Sequence, residues 1–289
     1  MTVAGAIAWG HGVLASDEFT ECSKVCEILL AHAADRDWSW ISLNGQRALS
    51  TSELEEFRSL VFACATGTPV QYLVRATEFF GLELKVERGV YVPKWETELL
   101  VEEALSFLEA PQLSDLTWGM SRTRAVIHEV GTGSGAIAIS IARHAPATAI
   151  SASDVSAFAL SLAQANARLN GVAGRIRFCR GDLQDPLAGV PDLVVANLPY
   201  IREGEISDLP TNVRVQPRSS LVTRCSGLGH INRLLENLTI KPGGRVMLEI
   251  GFDQASGVQS ICSGNPKLSY ERTVKDLAGL DRVAVIAAL

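Results

Sequence analysis

The chain has 289 residues, 47% of them apolar, and a formal net charge of −6. That apolar share excludes a mostly disordered chain, and the acidic balance argues against a broad, sequence-independent grip on nucleic acid, which needs clustered Lys and Arg. No apolar run reaches the ~18–20 residues of a membrane span.

The N-terminal stretch "MTVAGAIAWGHGVLASDEF" is weakly apolar but lacks a cationic start. A secretory signal is therefore not expected, and the chain reads as cytoplasmic. Residues 16–75 read as helical. "DEFTECSKVCEILLAHAA" sets Phe19, Val25, Cys26, Leu29 and Leu30 on one face. "STSELEEFRSLVFACATG" opens with the capping-box pattern Ser50-x-x-Glu53 and carries Leu54, Phe57, Leu60, Val61 and Cys64 at helical spacing. The six cysteines, Cys22, Cys26, Cys64, Cys179, Cys225 and Cys262, form no C-x-x-C pair. They read as small buried residues of a reducing compartment, with no metal role.

From Glu78 the period changes. "EFFGLELKVERGVYVP" alternates and reads as a β-hairpin, and residues 96–110 as an amphipathic helix with Leu100, Ala104, Phe107 and Leu108 inward. Residues 111–123 read as a loop. Strands follow at "AVIHEV", "TAISASD", "IRFCRGD", "DLVVAN" and "RVMLEIG", separated by helices over 134–144, 156–170, 229–238 and 253–262. This alternation specifies an α/β fold, a mostly parallel sheet with helices on both faces. Two closing strands near 268–274 and 282–288, with no helix between them, predict an antiparallel pair at one edge.

In "HEVGTGSGAIAISIA" a strand ends at Val130, Gly131, Gly133 and Gly135 follow, and a helix begins at once. Ligands bind at the carboxyl ends of such strands, where glycines let the backbone approach them closely. A dinucleotide loop would be G-x-G-x-x-G; here the third glycine comes one residue early, and Glu129 stands beside the loop. An acid there suits an amine-bearing ligand better than a pyrophosphate. Asp154 ends the second strand, placed to accept from ribose hydroxyls, and Asp182 follows the third, placed for an adenine amino group. Three acids at neighbouring strand ends point to S-adenosylmethionine. The expected cofactor residues are Glu129, Gly131, Thr132, Gly133, Gly135, Asp154, Val155, Asp182, Leu183 and Asn197.

Nearly the whole chain resembles the HemK-like glutamine-N5 methyltransferases, which act on the GGQ loop of translation release factors. The resemblance rests on the order of "TGTPVQYL", "EFFGLELKVERGVYVP", "ETELLVEEAL", the glycine loop, "SDVSAFALSLAQANARLNG", "DLVVANLPYI", "KPGGRVMLEIGFDQ" and "RTVKDLAGLDRVAV". It implies a Rossmann-like class I methyltransferase domain with a seven-stranded sheet and a small N-terminal helical domain joined by a β-hairpin. The expected boundaries are 1–76, 77–94 for the hairpin, and 95–289. The resemblance also implies that the turn Asn197-Leu198-Pro199-Tyr200 is catalytic and holds the acceptor. Asn197 Oδ1 and the Leu198 carbonyl can each accept from an acceptor –NH2 and aim its nitrogen at the methyl group. Pro199 fixes the kink, and Tyr200 offers a face for stacking.

The departures from the family pattern lie on the acceptor side. Leu198 replaces the second residue of N-P-P-Y, as in the N-[LI]-P-Y of rRNA adenine dimethyltransferases. Trp95 replaces a proline in "KWETE", Cys225 stands for an Asp in "VTRCSG", and "ACATGTP" lacks a basic pair. These changes favour a retuned enzyme of specialised metabolism, with a small, natural-product-like acceptor stacked on Trp95 and Tyr200. The alternatives are N5-methylation of the GGQ glutamine, with a release factor as partner, and ring closure on a sulfonium-bearing adduct. Among the remaining residues, His128 reads as a buried neutral histidine, His230 as a helix start, and Asp253 as an N-cap. His11 and His32 have no metal-ligand partners at useful spacing.

Overall fold

The strand–turn–helix repeat does build one sheet, in a computed structural model that describes residues 1–15, 21–109 and 124–289. The expected loop over 111–123, and Phe19, lie outside those residues. The described chain forms two compact units, Met1–Ala76 with Ser207–Gln216, and Thr77–Ile206 with Pro217–Leu289.

In the first unit, α1 (Val3–Leu14), α2 (Cys22–Ala34), α3 (Trp38–Leu43), α4 (Thr51–Ala65) and α5 (Val70–Val74) enclose Val3, Leu14, Cys26, Leu29, Leu30, Phe57, Val61 and Cys64. The capping box at Ser50 forms in full, each partner's side chain bonding the other's backbone N–H. Helix α1 was not legible in the sequence, because three glycines dilute its propensity. One of them explains the packing: a Cβ on Gly10 would lie 2.8 Å from Cys26 Sγ and 3.0 Å from Phe57 Cζ.

The second unit opens with the hairpin β1 (Ala76–Phe79) and β2 (Leu82–Lys85). Its two turn residues, Phe80 and Gly81, both have positive φ, 52° and 69°. That is the type I′ geometry that matches strand twist. Pairing stops at Lys85, short of the expected Pro93, although Val86, Val90 and Val92 remain buried. A 3-10 turn, Trp95–Thr97, leads into α6 (Glu98–Glu109).

Then come β3 (Ala125–Val130), α7 (Ala136–His144), β4 (Thr148–Asp154), α8 (Ala157–Leu169), β5 (Ile176–Arg180), β6 (Leu193–Ala196), β7 (Ile201–Arg202), α9 (Thr211–Arg214, grouped with the first unit), β8 (Val222–Thr223), α10 (Gly229–Glu236), β9 (Arg245–Glu249), α11 (Ala255–Ser263), β10 (Leu268–Lys275) and β11 (Asp281–Ala288). The seven-stranded sheet runs β10-β11-β9-β6-β3-β4-β5. It is parallel except for β11, which is antiparallel to both neighbours. Both faces are covered, and the central strand β6 is apolar and buried at every residue. Strand order reverses at β3, between β4 and β6. A crevice therefore opens outside the carboxyl ends of these strands. In register, Val130 lies beside both Ser153 and Ala196, which brings Glu129, Asp154 and Asn197 to one edge.

Candidate active site

Each glycine of the loop after β3 answers to a different constraint. Gly131, Gly133 and Gly135 all have left-handed φ, at 76°, 54° and 87°. A Cβ on Gly135 would lie 2.8 Å from Ile139 Cδ1 and 3.1 Å from Ala163 Cβ, so this glycine lets α7 and α8 pack closely. A Cβ on Gly131 would meet Leu198 Cδ2 at 3.2 Å. A Cβ on Gly133 would meet nothing closer than Val90 Cγ1 at 3.9 Å, because it faces the space of the cleft.

The cleft is lined by Gly131, Thr132, Gly133, Asp154, Val155, Asp182, Leu183, Asn197, Leu198 and Pro199 from the expected set, and by Val90, Tyr91, Thr97, Ser219, Ser220 and His230. Glu129 and Gly135 are not on its wall. Glu129 is buried behind the loop at 1% exposure. Its Oε2 accepts from Thr132 Oγ1 at 2.6 Å and from the Ala138 N–H at 3.2 Å, while Oε1 has no hydrogen-bond partner among the described residues. Burial pushes this carboxyl up to about 8. An unpartnered buried carboxylate oxygen beside a ligand loop suits a cation. Asp154 accepts from the Gly133 N–H at 2.9 Å through Oδ2 and from the Ser156 N–H at 2.8 Å through Oδ1. Val155, 58% exposed, adds an apolar surface beside it. The Asp182 carboxylate is ion-paired with Arg233. Acids, an apolar ledge and, among the described residues, no Lys or Arg on the cleft wall fit S-adenosylmethionine and do not fit a pyrophosphate.

A stability consequence follows from Glu129. Its folded-state value lies above the ordinary 4.5, so its protonated form stabilises the fold. That contribution is fully present below about pH 4.5 and is lost as pH rises through about 8. The expected result is a ligand-free Tm that falls between pH 5 and 8, with a shallower fall in Glu129→Gln. Calorimetry across that range checks it, and identical slopes for both proteins would exclude the effect.

The turn after β6 sends Asn197, Leu198 and Pro199 to the cleft. Asn197 Nδ2 donates to Thr97 Oγ1 at 3.1 Å, and among the described residues nothing donates to Asn197 Oδ1. Thr97, 3% exposed, donates in turn to Glu249 Oε2 at 2.6 Å. Two expected acceptor residues stand elsewhere. The Tyr200 side chain is not on the cleft wall; its hydroxyl donates to Glu249 Oε1 at 3.4 Å. Trp95 is 59% exposed and also lies outside the lining; its short 3-10 turn sends Thr97 inward instead.

Thr97, Glu249 and His230 were not read as site residues from the sequence. Glu249 carried a signal: like Glu129 it is an acid closing a buried apolar strand, β9, beside β6. His128 is 1% exposed and bonded to Ala188 O and Gln184 Nε2, and burial lowers its pKa, so the neutral form is held. Asp253 is not an N-cap; Gln254 takes that position without a side-chain capping bond, and Asp253 pairs with Arg202 at 2.6 Å. Cys22, Cys26, Cys64 and Cys262 are buried as expected, but Cys225 is exposed, with φ of 56°. It lines a second cavity of about 880 Å³, with Arg218, Arg224, Arg233 and Thr223, which shares Ser219 and His230 with the cleft.

The sequence matches the Methyltransferase small domain over residues 114–215 and the PrmC N-terminal domain over residues 6–74. It is 36% identical over 287 residues to the release factor glutamine methyltransferase of Nitratidesulfovibrio vulgaris, covering 97% of this chain and 93% of that protein. It is 34% identical over 259 residues to the corresponding protein of Moorella thermoacetica, covering 89% and 88%. Among solved structures, the hMettl16 catalytic domain shares the fold at a TM-score of 0.54 and 14% identity, over 80% of this chain and 81% of that one. The chain thus belongs to the HemK-like family of release factor glutamine methyltransferases, which are S-adenosylmethionine-dependent transferases.

Proposed function

We propose that this chain methylates the side-chain amide nitrogen of a glutamine in a peptide chain release factor, with S-adenosylmethionine as methyl donor. The observation that carries the reading is the polarity of Asn197: its –NH2 is committed to Thr97, which leaves Oδ1 without a donor among the described residues, on a residue that lines the cleft next to Leu198. An amide –NH2 has two hydrogens to donate, and Asn197 Oδ1 with the Leu198 carbonyl supplies two acceptors. An amide nitrogen is a weak nucleophile because its lone pair is delocalised. Two oriented bonds hold that nitrogen in place and stabilise the positive character it gains as its bond to the methyl carbon forms and the methyl–sulfur bond breaks; the sulfur would leave as a neutral thioether, and the nitrogen would give up one proton to solvent. The bound cofactor supplies an electrophilic methyl group. In this reading Asp154 would hold its ribose and Val155 with Asp182 its adenine, while Glu129, behind the loop, would act on its ammonium through its unpartnered Oε1.

The small, natural-product-like acceptor favoured by the motif departures gives way to the release-factor glutamine. The relatives named as glutamine methyltransferases match along nearly the full chain, acceptor side included. Trp95 stands exposed outside the cleft, where a small molecule bound within would not meet it. The cleft shares Ser219 and His230 with a wider, arginine-lined cavity, which suits an acceptor carried on a protein loop. Ring closure on a sulfonium adduct has no observation in its favour.

The test is label transfer from methyl-labelled S-adenosylmethionine to intact release factor, compared with glutaminamide and other small amides. Transfer to the protein should dominate. Faster transfer to the small amides would reverse the reading.

A further inference from the structure

We infer that Thr97 and Glu249 are positioning residues that set which end of the Asn197 carboxamide faces the acceptor. The inference rests on the reading that Asn197 Oδ1 accepts from an acceptor amide. The three side chains come from distant parts of the chain and meet in one line. Glu249 Oε2 accepts from Thr97 Oγ1 at 2.6 Å, and Thr97 Oγ1 accepts from Asn197 Nδ2 at 3.1 Å. Thr97 is 3% and Glu249 2% exposed, so water does not offer an alternative partner.

The polarity of this line has one consistent solution while Glu249 is ionised. A carboxylate only accepts. It therefore consumes the single hydroxyl hydrogen of Thr97, whose oxygen can then only accept from Asn197. The Asn197 group facing Thr97 must be –NH2, and Oδ1 must face the cleft. The second carboxylate oxygen accepts from the Tyr200 hydroxyl at 3.4 Å, which holds Glu249 from the other side. A protonated Glu249 can donate to Thr97, freeing the threonine hydrogen for Asn197. The carboxamide then gains nothing from its present orientation, and turning it over would set –NH2 against –NH2.

The groups facing Glu249 are Glu96 and Thr97 of the 3-10 turn, Tyr91 of the preceding loop, Tyr200 after β6, and Arg282 of β11. Burial raises the Glu249 carboxyl and Glu96 adds to it; Thr97, Arg282 and Tyr200 oppose the rise, and the result is about 7. The working orientation is therefore present above about pH 7 and lost below it.

The test uses the full chain with Thr97→Val, Thr97→Ser and Glu249→Gln. The first readout needs no acceptor. The Asn197 side-chain amide resonances, assigned by their loss in Asn197→Asp, should titrate with a midpoint near pH 7 in wild type and Thr97→Ser. They should stay flat over that range in Thr97→Val and Glu249→Gln. The second readout is turnover on release factor. Thr97→Val should lose kcat by about tenfold or more, with KM and cofactor affinity little changed, and its pH profile should lack the acid limb near 7. Thr97→Ser should restore both. A flat wild-type titration overturns the relay, as does a Thr97→Val protein with the wild-type titration and pH profile. If the titration is present but wild type leaves release factor unmodified, the relay stands and the acceptor assignment falls.

Discussion

Asn197→Ala is expected to lose methyl transfer by about 10²–10³-fold while binding S-adenosylmethionine with near-native affinity. The magnitude is that of removing one preorganised acceptor of developing charge. The substitution leaves the cofactor loop untouched: Gly131 and Thr132 donate their N–H groups to Ser153 O at 2.9 Å, and Gly133 donates to Asp154. It removes the carboxamide whose Nδ2 is held by Thr97 and whose Oδ1 is proposed to hold the acceptor. Single-turnover kinetics with a saturating cofactor should show the loss in the chemical step, and calorimetry should show unchanged binding. Full single-turnover activity would remove Asn197 from the chemistry.

Gly133→Val is expected to abolish cofactor binding, and Gly135→Val to damage the fold. The two glycines are two residues apart, yet their missing Cβ atoms face different things. At Gly135 a side chain would enter Ile139 and Ala163, in the packed space between α7 and α8. At Gly133 it would enter the cleft, with Val90 Cγ1 the nearest atom at 3.9 Å. Valine at a φ of 54° also carries backbone strain of roughly 1–2 kcal/mol. The Gly133 protein should therefore melt a few degrees low but cooperatively, with no measurable heat of cofactor binding. The Gly135 protein should melt far lower or fail to fold. Near-normal affinity in a folded Gly133→Val protein would mean the cofactor does not lie against this loop.

The sheet was legible because short apolar-rich runs alternate with turns and amphipathic helices, while the strand order is given by the structure. The two strands "AVIHEV" and "TAISASD" are bounded in the structure as in the sequence. The loop glycines and Asp154 were legible because strand ends announce themselves locally. What was not legible is long-range. Thr97 and Glu249 are 152 residues apart and reach the site only when α6 and β9 pack on one sheet. Where the Tyr200 and Trp95 rings lie was not legible for a related reason. An aromatic next to a functional turn suggests a platform, but backbone direction decides where the ring goes. The Tyr200 hydroxyl bonds Glu249 and Trp95 stays at the surface. The motif departures point to a small acceptor, whereas the match to named glutamine methyltransferases along nearly the full chain favours the release-factor alternative. The substitution at Leu198 keeps the backbone carbonyl the reading needs, and its buried side chain packs against the glycine loop.

The most direct test of the proposed activity is the mass of the product. Purified release factor, taken from cells lacking the modification, is incubated with this protein and S-adenosylmethionine, digested, and fragmented by mass spectrometry. The account predicts one added methyl group per release factor, on the side-chain amide of the GGQ glutamine, absent when Asn197→Ala replaces wild type. An unmodified glutamine after prolonged incubation with enzyme that binds S-adenosylmethionine, or a methyl group on another residue, would contradict it.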